Sequence, residues 1–145
     1  MIFYTVFNSN SGEIIITGTA QQEEDVAALR STGQEYLLEY STQNQYVSFG
    51  AIVSMPPKPS DDHRFDYATK TWVIDTQGVA ARAMVKRNQL LAEGPDRVNP
   101  MWWASMSAAE QSDVTAYRQA LLDAPQQPGY PLQIDWPPLP AVLGQ

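Results

Sequence analysis

Two hydrophobic rhythms divide the chain. In the first half, short aromatic and β-branched runs alternate with turn-forming clusters. In the second, apolar residues recur every three or four positions. The first rhythm predicts strands and the second helices, because side chains repeat every two residues along a strand and every 3.6 along a helix. Ile2 to Phe7 and the stretch Glu13 to Thr19, which contains Ile14-Ile15-Ile16, flank the turn cluster Asn8-Ser9-Asn10-Ser11-Gly12. This predicts a β-hairpin with a long loop. Ile14 to Ile16 is so uniformly apolar that neither of its faces is expected to lie fully in water. Gln21 to Arg30 predicts a short helix, with Glu23, Glu24 and Asp25 at its electropositive start. Glu35 to Tyr40 and Tyr46 to Val53 read as strands, and Gly50 inside the second predicts a bulge or a close backbone approach.

Met55-Pro56-Pro57-Lys58-Pro59 stops sheet structure, since proline cannot donate to a ladder. It predicts a stiff linker. Phe65 to Ile74 then reads as a second short hairpin around Ala68-Thr69-Lys70-Thr71. From Thr76 the rhythm is helical. Val79, Ala80, Ala83, Met84, Leu90 and Leu91 form one stripe, Arg82, Lys86 and Arg87 place positive charge toward its C-terminal half, and Gly94-Pro95 ends it. Ser107-Ala108-Ala109-Glu110 is a capping box that opens a further helix with Val114, Tyr117 and Leu121 on its inner face. Pro125 ends that helix. Pro128, Pro131, Pro137, Pro138 and Pro140 follow, which predicts an extended, polyproline-like tail. The fold class expected is α+β: a small antiparallel β-rich N-terminal module (1–54), a proline linker with a short hairpin (55–75), then a helical hairpin with an extended proline-rich C-terminal tail (76–145).

Composition narrows the chemistry. The chain has 145 residues, 43% of them hydrophobic and 17% charged, enough to bury a core. The formal net charge is -7, and an acidic surface repels phosphate backbones, so nucleic acid is not an expected partner. The absence of cysteine excludes disulfides, thiolate zinc sites and cysteine nucleophiles. The apolar start lacks the basic region and cleavage site of a signal peptide, and no apolar run approaches the ~20 residues that span a bilayer. The expectation is a soluble, unprocessed protein without a membrane partner.

Few residues are arranged for catalysis. Asp61-Asp62-His63 is the one cluster with metal-ligand residue types and holds the sole histidine. Consecutive side chains of an extended segment diverge, so a solvated turn is the expected reading and neither metal nor cofactor is implied. No G-x-S-x-G elbow, phosphate-cradling loop or dinucleotide fingerprint is present. The tryptophans suggest binding instead. Trp72 is expected in a core. The adjacent Trp102 and Trp103 are hard to bury together, and Trp136 sits in the proline-rich tail, where it either pins the tail to the helices or docks elsewhere.

The segment from Arg87 to Pro138 resembles the C-terminal region of phage tail assembly chaperone and tail-fibre assembly proteins. The resemblance lies in Arg87-Asn88-Gln89-Leu90-Leu91-Ala92, the connector bearing Trp102-Trp103, Tyr117-Arg118-Gln119-Ala120-Leu121, Pro125-Gln126-Gln127-Pro128-Gly129-Tyr130-Pro131 and Trp136-Pro137, taken in order. Phe65 to Val73 is similar to a stretch that often precedes this region. Here Gly94 to Pro100 intervenes where family members place an acidic residue and a single tryptophan, implying a different path for the connector. The resemblance implies a non-enzymatic protein that binds a phage tail fibre, baseplate or neighbouring tail protein and assists its folding, assembly or attachment. The setting it implies is the bacterial cytoplasm during assembly, with retention in the virion tail as a further option. Trp102, Trp103, Tyr117, Arg118, Tyr130 and Trp136 are the candidate partner-binding residues. The alternatives are a permanent fibre-to-baseplate adaptor and a small tail-associated hydrolase.

Overall fold

The computed structural model describes residues 1–145 as two compact units, Met1–Ile74 and Asp75–Gln145. The architecture is α+β: small antiparallel sheets come first, and helices dominate the second unit.

The N-terminal unit begins with β1 (Ile2–Asn8) and β2 (Ile14–Ala20), followed by α1 (Glu23–Leu29) and β3 (Gln34–Leu37). These strands form an antiparallel sheet in the order β2-β1-β3. One face of β1 sends Tyr4 and Val6 against Val26 of α1, and this makes the buried cluster. On the other face Thr5 is fully buried but satisfied, since its hydroxyl donates to the Glu39 carbonyl at 2.8 Å. Asp25 accepts from the Gln22 N–H at 3.2 Å and caps α1. The third strand stops at Leu37, short of the expected Tyr40.

Two further hairpins complete the unit: β4 (Gln45–Ser48) with β5 (Ala51–Ser54), and β6 (His63–Asp66) with β7 (Thr71–Ile74). Tyr46 to Val53 is therefore not one strand. Phe49 and Gly50 both adopt positive φ, 49° and 76°, and make the tight turn between β4 and β5. Two adjacent left-handed residues match the twist of a hairpin better than a bulge would. Gly12 lets the hairpins meet: the Val47 N–H donates to its carbonyl at 2.8 Å, and a Cβ there would collide with the Val47 carbonyl oxygen. Phe65 is buried among the rings of Tyr46, Tyr67 and Trp72, with centroids 5.1 to 5.3 Å away. Trp72 is half-buried, and its indole N–H donates to the Pro56 carbonyl at 2.7 Å. His63 opens β6 with Nδ1 2.9 Å from the Ser60 hydroxyl.

β2 is only partly covered, and neither of its faces lies fully in water. Ile15 and Ile16 are 49% and 46% exposed. β2 is a border strand, and the register slips between Val6 and Phe7, so Ile15 is the extra residue of a bulge. Apolarity alone does not reveal whether a neighbouring layer covers a strand.

The C-terminal unit contains α2 (Thr76–Glu93), α3 (Pro100–Ser105) and α4 (Ala108–Asp123). Asp75 caps α2 by accepting from the Gly78 N–H at 3.0 Å. Of the expected α2 stripe, Val79 and Leu91 are buried, whereas Met84 is exposed. No basic residue reaches the last turn of α2, where a helix dipole acts, so its positive charges serve other contacts. Gly94 ends the helix, and its N–H bonds the Leu90 carbonyl at 3.1 Å. Ser107 and Glu110 form the capping box of α4 reciprocally, at 3.2 and 2.7 Å. The core joins Leu91, Met106, Val114, Tyr117, Leu121, Val142 and Leu143.

The tail is not one continuous extension. Pro125 lies within a one-turn 3-10 helix, Ala124–Gln126, and Ala141–Gly144 forms another. The Gln127 side chain clamps the intervening loop, accepting from the Asp135 N–H at 2.8 Å and donating to its carbonyl at 3.0 Å. Buried Val142 and Leu143 then outweigh the stiffness of the prolines and return the chain to the core.

Candidate functional site

The connector between α2 and α4, expected to be a linker, is mostly helical. Pro95–Arg97 makes a 3-10 turn, and Pro100 starts α3 at a position where its missing N–H costs nothing. Asn99 caps α3 by accepting from the Trp102 N–H at 2.9 Å. Asn-Pro ahead of an apolar stretch is a helix-start signal, so this element was legible in the sequence.

The helix resolves the tryptophan pair. Consecutive residues point about 100° apart around a helix. Trp102 turns inward, packs against the core and lies under the Arg97 guanidinium, 5.2 Å from its ring centroid. Arg97 also donates to the Leu143 carbonyl at 2.7 Å, which ties the chain end to the connector. Trp103 turns outward and is 37% exposed. Its carbonyl accepts from the Gln111 side chain at 2.8 Å, which fastens α3 to α4.

Beside Trp103 runs a mostly apolar groove of about 460 Å³, lined by Pro95, Val98, Pro100, Trp103 and Val114 together with Asn99, Thr115 and Arg118. Arg118 donates from Nε to Asp96 at 3.1 Å. Both side chains are about half exposed, so this bridge contributes little to stability, about 0–1 kcal/mol. Its guanidinium remains accessible to a second acceptor. Such an arrangement can take an apolar side chain beside Trp103 and a carboxylate or carbonyl at Arg118.

The remaining candidates lie elsewhere. Tyr117 is 4% exposed within the core, where burial raises its pKa above the usual phenol value. Trp136 packs against the core from the tail, under the Lys86 ammonium at 4.9 Å. Tyr130 is half-buried in the tail turn, its N–H bonded to the Gln127 carbonyl at 3.0 Å. The groove thus brings together Trp103 and Arg118 out of the six. Sequence reasoning missed Pro95, Val98, Pro100 and Val114 as its walls, because connector and α4 meet only in the folded chain.

Comparison with curated proteins and with solved structures finds no match. A family model described as phage tail assembly chaperone protein matches residues 80–141, a span that holds the groove, both tryptophans of α3 and most of the tail. Residues 80–141 are thus similar to the phage tail assembly chaperone family, a likeness that supports a role in phage tail assembly.

Proposed function

We propose that the chain binds a phage tail fibre or a neighbouring tail protein through the α3–α4 groove and assists its folding, assembly or attachment without making or breaking a bond. The observation that carries this reading is the outward-turned Trp103 beside a mostly apolar groove that Arg118 also lines. Tryptophan and arginine dominate interface hot spots because each combines large contact area with directed hydrogen bonding. Exposed apolar segments of an unassembled tail protein are prone to aggregate, and a groove that takes such a segment shields it until assembly. The protein then acts in the bacterial cytoplasm while tails are being built. Purified virions would be examined for the chain, since a permanent adaptor stays with the particle and a chaperone leaves.

The experiment is to substitute Trp103→Ala and measure affinity for each isolated tail protein of the same phage by calorimetry. Binding should weaken by about 2 kcal/mol while the thermal midpoint changes little, as for a half-exposed anchor. Unchanged affinity for every tail protein that the parent chain binds would remove the groove from the function.

A further inference from the structure

The sheet of the N-terminal unit has two borders of unlike character. β3 is short, and Glu35 on it pairs with Arg30 at 2.7 Å. β2 runs seven residues without a proline, and no charged side chain occurs from Ile14 through Gln22. Ile15, Ile16 and Thr19 are exposed along it. Past the bulge, Thr17 to Ala20 keep regular register on β1, so their outward N–H and C=O groups stand at strand spacing with no strand paired to them. Sheet borders are usually shortened, charged, bulged or broken by proline to prevent pairing, and beyond the bulge at Ile15 this one carries none of these devices.

Backbone donors and acceptors at that spacing are complementary to another extended main chain. The flanks decide which chain. Glu13 precedes β2, and Glu23, Glu24 and Asp25 follow it. Antiparallel pairing with a second copy would set Glu13 of one copy near the acidic start of α1 in the other, and like charges across a strand pair destabilise it. An uncharged strand with basic residues at both ends meets the same flanks with attraction.

We propose that the outer edge of β2 is a strand-addition site. It takes, as a fourth strand, an extended partner segment that is β-branched and uncharged in the middle and carries Lys or Arg at each end. The site is carried by observations separate from those of the α3–α4 groove.

The test uses the full chain, isotope-labelled, titrated with the capped peptide Lys-Thr-Val-Thr-Val-Thr-Val-Thr-Lys and followed by amide chemical shifts. Saturable shifts at Ile14–Ala20 are expected. The same peptide with Glu at both ends should bind at least about tenfold more weakly. Thr19→Lys, an exposed substitution that guards the edge, should weaken the Lys-ended peptide about tenfold without altering the thermal midpoint. Should Thr19→Lys not fold, Ile16→Lys serves in its place. Absent shifts, shifts at the groove residues only, or equal affinity for the two peptides overturn the site. A concentration-dependent dimer that Thr19→Lys abolishes would show that the occupant is a second copy, and would overturn the basic-ended partner. Loss of the groove in the Trp103→Ala experiment leaves these results untouched.

Discussion

The N-terminal unit is organised by backbone pairing and the C-terminal unit by side-chain burial. In the first, three small sheets, the hydrogen bond between Val47 and Gly12 and a ring cluster around Phe65 accompany a buried cluster of only Tyr4, Val6 and Val26. In the second, three helices and the tail converge on a continuous core centred on Leu121. The difference governs what each can recognise. Helices satisfy their own backbone, so the C-terminal unit presents side-chain grooves and anchors such as Trp103. A small open sheet leaves a border of main-chain groups, so the N-terminal unit offers the edge of β2.

The sharpest way to break this contrast is Leu121→Ala. Leu121 is fully buried at the convergence of α4 with the tail, and its loss should destabilise the C-terminal unit by about 3 kcal/mol through lost burial and a cavity. Amide exchange across α2, α4 and the residues around Val142 should accelerate. If those amides keep their protection, burial is not what organises the unit.

A smaller effect is expected from Ser107→Ala. It removes the side-chain acceptor for the Glu110 N–H at the start of α4, at a cost of about 1 kcal/mol. A denaturation midpoint that does not move would show that the cap is replaced by solvent.

The smallest effect belongs to the sheet unit and is read in pH. Asp66 accepts from the Ala68 N–H and the Thr69 hydroxyl in the β6–β7 turn, and these bonds, the first above all, lower its carboxyl pKa. A lowered folded pKa means that the contribution is complete above the unfolded carboxylate value and is lost as pH falls through the folded one. The stability of the β6–β7 hairpin should therefore decline on acidification, and Asp66→Asn should flatten that decline. An identical acid profile in both proteins would assign the pH dependence to other groups.

Much of the α+β plan was legible because its signals are local. The turn cluster after β1, the capping box at Ser107, Gly94 at the end of α2 and the Val114-Tyr117-Leu121 face each depend on residues within a few positions of one another. The connector helix was equally local but was obscured by Pro100, which opens a helix as readily as it breaks one. Gly50 showed the same ambiguity, since its positive φ serves a bulge or a turn and only the pairing of Tyr46 with Val53 distinguishes them.

What the amino-acid order determined by itself was therefore the type of most elements, the uncharged run of β2, the acidity of its flanks and the family likeness of the C-terminal half. Tertiary structure alone decided which apolar residues are covered: Ile15 and Ile16 are left out, Trp102 is taken in, Trp103 is turned to solvent, and the proline-rich tail is drawn back by Val142 and Leu143. The physical reason is range. Propensity, capping and turn chemistry act within one or two turns of chain, whereas burial depends on which distant surface arrives to exclude water.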